Sequence, residues 1–523
     1  MKPPCDEAVI ESTSAAAPCR PAAEPWILAA TILGSSMAFI DSTVVNVALP
    51  AIQNNLGGTV TDMQWVVEAY GLLLGALILT GGALGDVFGR KRMFLLGVTV
   101  FAVASVACGV AVDIRELVIA RSVQGFGAAF LVPGSLSIIG ASFPESSRGR
   151  AIGTWSAFTS LTAAAGPVLG GWLIENASWR WAFFLNVPLA LAVLVLSFWQ
   201  VPESKAETRS RVDWIGAILV TAGLTGVTYG FIESSSEGWN NSWVWSALIL
   251  GGACLIAFAY FEAHTSFAMV PFGLFRSPNF TGANLLSLFL YSALGIFFFL
   301  FPLNLIQVQH YSATATGAAA LPFILLMFLL SRWSGGLVAR FGAKRPLIAG
   351  PIVAAIGFVC FVFPSVGGSY WSTFFPGFVV LGLGMAVSVA PLTTVVMDAV
   401  DPNLAGTASG INNAVARVAG LLAIAVLGVL MVALFSHFLN ERMTTLALPI
   451  DMVRAVRSNE LRLAALNVPA GSDAITAAKL RSSIDQAFVF GFRLIMLICA
   501  GLSVASSGFA WCMLGADTNP QNT

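Results

Sequence analysis

Three charged residues stand inside long apolar runs: Asp41 in "MAFIDSTVVNVALP", Glu68 in "QWVVEAYG" and Arg121 in "LVIARSVQGFGAAFLVP". A carboxylate or guanidinium placed in hydrocarbon is expensive, so each must be paired, hydrated or at work. Burial favours the protonated carboxyl, and a nearby guanidinium favours the ionised one. A carboxylate held between these opposing effects is suited to taking up and releasing protons. Asp41 is the leading proton-carrying candidate, with Arg121 holding its charge and register and Glu68 as a second carboxylate. The bland alternatives are interhelical hydrogen bonding for Asp41 and contact with interfacial water for Glu68.

The surrounding chain must place these groups in a bilayer. Of 523 residues, 57% are hydrophobic and only 10% charged, well below the roughly one quarter of a soluble domain. Lys+Arg and Asp+Glu are equal at 26 each, which gives no basic excess for nucleic acid. Seven cysteines (Cys5, Cys19, Cys108, Cys254, Cys360, Cys499, Cys512) are scattered singly and suggest neither a metal site nor a disulfide framework. His264, His310 and His437 are isolated, no nucleophile constellation appears, and no P-loop is present, so no enzyme, metal site or cofactor is expected. The "GFGAAF" of span 4 has no preceding strand and is not a dinucleotide loop.

Spanning the hydrocarbon takes roughly 20 apolar residues. Fourteen runs meet this rule, the first near 26–48 and the last near 487–513. The basic groups Arg90/Lys91/Arg92, Arg148/Arg150, Lys205/Arg209/Arg211, Arg276 and Arg340/Lys344/Arg345 fall in alternate short loops, which makes that face cytoplasmic. Both termini are then cytoplasmic. The expected organisation is a disordered cytoplasmic tail (1–25), a six-helix bundle (26–201), a linker with an inserted helix pair (202–262), a cytoplasmic loop (263–278), a second six-helix bundle (279–513) and a tail (514–523). A long, nearly charge-balanced extracytoplasmic loop, 437–486, interrupts the second bundle. With span 1 entering near residue 26, Asp41 lies about 22 Å along it, beyond the midplane. Ser42 and Asn46 lie within about 140° of Asp41 on that helix, a polar arc expected to face a cavity. Asn413 in span 13 is a second candidate for cavity lining. Phe297, Phe298, Phe299 and Phe301 in span 9 suggest lipid-facing bulk or an apolar pocket.

"GALGDVFGRKR" at 82–92 recurs as "GGLVARFGAKR" at 335–345, with Gly89 aligned to Gly342 and Lys91/Arg92 to Lys344/Arg345. Each copy closes one span and opens the next on the same face, so the repeats are parallel in topology. Such a pair of six-helix halves resembles the major facilitator superfamily. Within it the chain resembles the fourteen-helix drug/proton antiporters of the EmrB/QacA type, over all fourteen spans.

The resemblance implies roles for particular residues. Gly82, Asp86, Gly89, Arg90, Lys91 and Arg92 match a cytoplasmic gate motif, in which Asp86 pairs with Arg90 or faces a helix N-terminus in the other half. Val87 stands where the family often has arginine. "SLTAAAGPVLGGWL" at 160–173 matches the exporter-associated motif of span 5, with Gly166, Pro167, Gly170 and Gly171; Thr162 replaces a common glycine. Thr162, Gly166 and Gly170 recur every four residues and form a small-residue face. Asp41, Thr43, Asn46 and the Ala-Leu-Pro that follows match the span 1 signature, and Arg121 the span 4 motif. The implied function is proton-coupled export of drugs or other small amphipathic compounds by alternating access. The expected partners are protons, a small-molecule substrate and the lipid bilayer of a bacterial inner membrane, with a membrane-fusion adaptor and outer-membrane channel as further candidates. Export dedicated to one metabolite, lipid or peptide is the alternative; an embedded sensor or enzyme is weaker.

Overall fold

Without water in the hydrocarbon, backbone N–H and C=O groups must satisfy one another, and long apolar runs therefore coil. The computed structural model describes residues 19, 22–205, 212–401, 404–446, 448–469 and 473–515. Its spanning helices are α1 (Glu24–Leu56), α2 (Val60–Phe88), α3 (Arg90–Val110), α4 (Ile114–Ser142), α5 (Glu145–Asn176) and α6 (Asn186–Gln200). There follow α7 (Trp214–Glu237), α8 (Ser242–His264), α9 (Pro278–Leu303), α10 (Leu321–Phe341), α11 (Lys344–Cys360), α12 (Phe375–Asp398), α13 (Ala405–Thr445) and α14 (Ala474–Met513). Each of the fourteen expected spans is helical. Short helices at Trp181–Phe184 and Ala313–Ala319 precede α6 and α10, and α9 continues into a π-helical turn at Asn304–Val308. Among the described residues, 13 helical stretches are long and apolar enough to cross a membrane, α6 counting together with the short helix before it as Trp181–Gln200; α11, at 17 residues, is slightly shorter.

The long loop carries more structure than apolar runs alone suggest. The expected tail 1–25 falls largely outside the described residues, but α1 already begins at Glu24. Cys19 is disulfide-bonded, contrary to the expectation from scattered cysteines: spacing reveals regular patterns, not which thiols a fold brings together. Most of the final tail, 516–523, also lies outside the described residues. The stretch 437–486 is largely helical, since α13 runs to Thr445, α14 starts at Ala474, and a short helix, Ile450–Arg457, lies between them.

By contact the chain divides into two compact units. The first comprises the chain to Ala48, Val66–Thr225 and Gly251–Pro271; the second comprises Leu49–Trp65, Gly226–Leu250 and the chain from Phe272. Apolar burial drives little helix association in lipid, so close packing through small residues carries it. In the first unit α3 packs on α4 and α6, and in the second α11 packs on α12 and α14. The same alignment that sets Gly89 on Gly342 sets Gly97 on Gly350. A methyl group on Gly97 would lie 2.9 Å from the Gly127 carbonyl oxygen of α4, and one on Gly350 the same distance from the Gly384 carbonyl oxygen of α12. The duplication is thus carried by helix contacts as well as by a loop motif.

In the second unit Phe297, Phe299 and Phe301 are buried. Phe297 and Phe301 pack with Phe358, Phe361 and Phe378. Neither lipid-facing bulk nor a pocket wall describes these three side chains; they are core. A run apolar on every side gives no periodic signal of which face is inside.

Candidate functional site

Asp41 of α1 and Arg121 of α4 meet in the interior of the first unit, with side chains 0% and 1% exposed. Arg121 Nη1 donates to Asp41 Oδ2 at 2.5 Å and to Gln124 Oε1 at 2.7 Å. Gln124 Nε2 in turn donates to Asp41 Oδ1 and to Ser105 Oγ of α3, both at 2.8 Å. Asn186 Nδ2, at the start of α6, reaches the same Asp41 oxygen at 3.3 Å and Ser105 at 3.4 Å. Arg121 Nε donates to the Val66 carbonyl of α2 at 3.0 Å, and its guanidinium lies 4.2 Å from the Tyr70 ring centre. The ion pair therefore joins α1, α2, α3, α4 and α6, and both carboxylate oxygens have donors. Such a fully bonded buried pair is the form in which intramembrane charge is tolerated.

Local sequence explains this convergence. Arg121 and Gln124 are three residues apart on α4 and therefore share a face. Gly125, one residue on, lets α4 approach α2 so closely that a Cβ there would sit 2.3 Å from the Tyr70 carbonyl oxygen. Asn186 follows the break between the turn Trp181–Phe184 and α6, which aims its side chain inward.

Glu68 is not part of this arrangement. Val66 and Tyr70 turn toward α4, and Glu68, two residues from each, lies on the opposite face of α2. It is fully buried, and neither carboxyl oxygen has a hydrogen-bond partner among the described residues. Gln64, one turn earlier on that face, donates to the Ile424 carbonyl of α13 at 2.7 Å. Of the other two candidates, Asn46 is half-buried, and Asn413 is exposed with its amide bonded back to the Ser409 carbonyl at 2.9 Å. Its neighbour Asn412 turns inward instead, donating to Ser287 of α9 at 2.7 Å.

The span 5 glycines lie against α1 beside Asp41. A Cβ on Gly166 would fall 2.2 Å from Thr43 Oγ1, and one on Gly170 would fall 2.5 Å from Val44 Cγ1. Thr162 donates to Ser36 at 2.8 Å, so successive turns of α5 meet successive turns of α1 and the two helices run in parallel. Pro167 and Gly171 are buried next to these contacts.

At the α2–α3 junction Gly89 takes φ of 113°, a value L side chains rarely adopt, and so ends one helix and starts the next. Gly342 repeats the device between α10 and α11 with φ of 72°. Asp86 pairs with Arg90 at 2.9 Å. Gly82 packs next to Pro133 of α4. Glu203, which follows α6 and drew no attention in the sequence, receives the Lys91 backbone N–H at 3.1 Å and pairs with Arg92 at 3.5 Å. Its carboxylate caps the positive end of α3. Lys91 Nζ donates to the Phe198 carbonyl at 3.1 Å. The only sequence signal for Glu203 was an acid in the short "VPESK" stretch that closes the first bundle.

Comparison with known proteins agrees with this architecture. The profile described as Major Facilitator Superfamily matches residues 31–424. "Multidrug resistance protein Stp" of Mycobacterium tuberculosis (strain CDC 1551 / Oshkosh) is 34% identical, over 80% of this chain and 77% of its own length. "Tetracenomycin C resistance and export protein" of Streptomyces glaucescens is 31% identical, over 93% of this chain and 91% of its own. Among solved structures, an inward-facing, unoccupied bacterial homolog to the human lysosomal transporter Spinster aligns with a TM-score of 0.64. That alignment covers 95% of this chain and 100% of the other at 17% identity, a likeness of fold alone. With its duplicated α2–α3 and α10–α11 turns, its long apolar helices and these relatives, the chain is a member of the Major Facilitator Superfamily.

Proposed function

We propose that this multi-pass membrane protein is a proton-coupled exporter of small amphipathic compounds that works by alternating access. The observation that carries the reading is the buried Asp41 carboxylate, paired to a buried arginine and bonded to side chains of α4 and α6, which in turn reach α2 and α3. A proton and a cationic substrate each neutralise the same charge, so competition at Asp41 couples the two fluxes. When Asp41 is protonated its ion pair is lost, while Arg121 keeps the Val66 carbonyl, Gln124 and the Tyr70 ring. The arginine thus stays in register for the next cycle.

The basic residues at the α2–α3 and α10–α11 turns favour a cytoplasmic location for that end, with both termini on the same side, in a bacterial plasma membrane. The Asp86–Arg90 pair and the Glu203 cap make this turn a rigid gate element. Glu68, away from the ion pair, serves in this scheme as a separate buried carboxylate. Export of a single compound is the second reading, favoured by the near full-length match to the Streptomyces relative named for tetracenomycin C.

Reconstitution in liposomes with an imposed pH gradient, assayed with a panel of dyes and aromatic antibiotics, tests both readings. Asp41→Asn should abolish gradient-driven flux yet retain substrate exchange without a gradient. Full gradient-driven flux in Asp41→Asn would remove Asp41 from coupling, and wild-type flux of one compound alone would favour dedicated export.

A further inference from the structure

A pair of acids lies in the first unit where the inserted helices α7 and α8 meet. Asp213 immediately precedes α7, and its Oδ1 accepts the Gly216 backbone N–H at 2.8 Å, capping the helix. Glu262 lies in the last turn of α8 and is 2% exposed. Its Oε2 accepts the Val270 N–H at 2.9 Å, holding the connector that leads from α8 toward α9. One oxygen remains on each acid, Asp213 Oδ2 and Glu262 Oε1, and neither has a hydrogen-bond donor among the described residues. Both point to one spot: they lie 2.4 and 2.6 Å from where a Cβ on Gly216 would sit.

We infer that Asp213 and Glu262 hold one proton between them, as an O–H···O bond joining these two oxygens, and that this proton pins the connector 265–271 to the first unit. Two carboxyl oxygens aimed at one spot out of water repel each other when both are ionised, so one retains its proton. Among the described residues neither acid forms an ion pair. The connector from Thr265 to Pro271 has no ionisable side chain. Against it α2 presents Thr80, whose hydroxyl meets Met269 Sδ at 3.2 Å. His264 on α8 is exposed and turned to the Tyr260 carbonyl at 2.8 Å. A bound divalent cation is disfavoured, because two free oxygens fall far short of the about six that calcium or magnesium requires. When the proton leaves, repulsion drives the carboxylates apart, Val270 loses its acceptor, and the connector loosens.

The test is hydrogen–deuterium exchange of the full-length protein in lipid nanodiscs, read at peptides covering 265–271 from about pH 5 to about pH 9 and corrected for intrinsic exchange. Glu262→Gln supplies a permanent N–H donor to Asp213 and still accepts from Val270; Asp213→Asn supplies the donor from the other side and still caps α7. In wild type, protection should fall roughly three- to tenfold relative to Glu262→Gln as pH rises, the range expected for one hydrogen bond. Both variants should be flat, and if one fails to fold the other carries the comparison. Infrared spectra should show a protonated-carboxyl C=O band in wild type that weakens in either variant. Identical pH profiles in wild type and variants, no such difference in the infrared band, or wild-type protection that depends on added magnesium or calcium instead of pH would each overturn the proposal.

Discussion

The contact of α5 with α1 permits a quantitative test at Gly166. An alanine Cβ there would stand 2.2 Å from Thr43 Oγ1, 3.4 Å from Thr43 Cβ and 3.5 Å from the Ile40 carbonyl oxygen. Ordinary contacts are about 3.5–4.0 Å, so α5 must retreat by more than ~1 Å or Thr43 must turn. Retreat opens the whole glycine face, at about 1–3 kcal/mol for overpacking. Turning Thr43 breaks its hydrogen bonds to the Phe39 and Ile40 carbonyls, at about 1 kcal/mol. Against either stands a gain of up to ~1 kcal/mol for replacing glycine by alanine within a helix. Gly153, on the same helix with nothing within 4 Å, isolates that gain. Gly166→Ala should therefore be about 1–3 kcal/mol less stable than Gly153→Ala in equilibrium unfolding from mixed micelles. Adding Thr43→Ala removes the clashing oxygen and should recover at least ~1 kcal/mol, seen as favourable coupling in a double-mutant cycle. Equal stability of the two alanine variants, or no rescue by Thr43→Ala, would refute this account of why α5 carries glycine beside Asp41.

Gln124→Ala removes a bridge between Asp41, Arg121 and Ser105 and should cost about 1.5–3 kcal/mol for each charge-assisted bond lost, measured by unfolding in micelles; Gln124→Glu, which adds a second carboxylate, should be worse. Glu203→Gln weakens the cap on α3 and its bond to Arg92, and should raise hydrogen exchange at Lys91 by a few-fold without altering α4. Asp473, at the N-terminus of α14, has its carboxyl held below the usual range by the bonds it accepts from Thr476. Its cap is present above the ordinary carboxyl range and lost as pH falls through the lowered folded value. Exchange at Thr476 and Ala477 should therefore rise in acid for wild type and stay level for Asp473→Asn.

The helical architecture was legible because hydropathy and the need to satisfy the backbone leave few alternatives, and the α2–α3 motif carried enough identity to expose the duplication. The pairing of Asp41 with Arg121 was legible on the argument that buried charge needs a counter-charge. The separation of Glu68 from that pair was not legible, since depth along a span carries no information on rotation about it, and only the packing puts Val66 and Tyr70, not Glu68, on the α4 face. Gln124, three residues from Arg121, carried a readable signal as a second polar group on the same face. Asn186 and Ser105 carried none, because their meeting depends on how α3 and α6 pack. Asp213 and Glu262 carry no such signal, because one opens and the other closes an apolar run, where an acid ordinarily marks only the boundary with water.

The wiring of Asp41 to five helices means that no member of the network can be assigned its own share of the coupling energy. Substitutions at Ser105, Gln124 and Asn186 should fail to sum, since each removes support on which the others depend. If Asp41 takes up a proton as proposed, these helices register it together, which favours a switch between two whole arrangements of the unit over a graded series of small displacements.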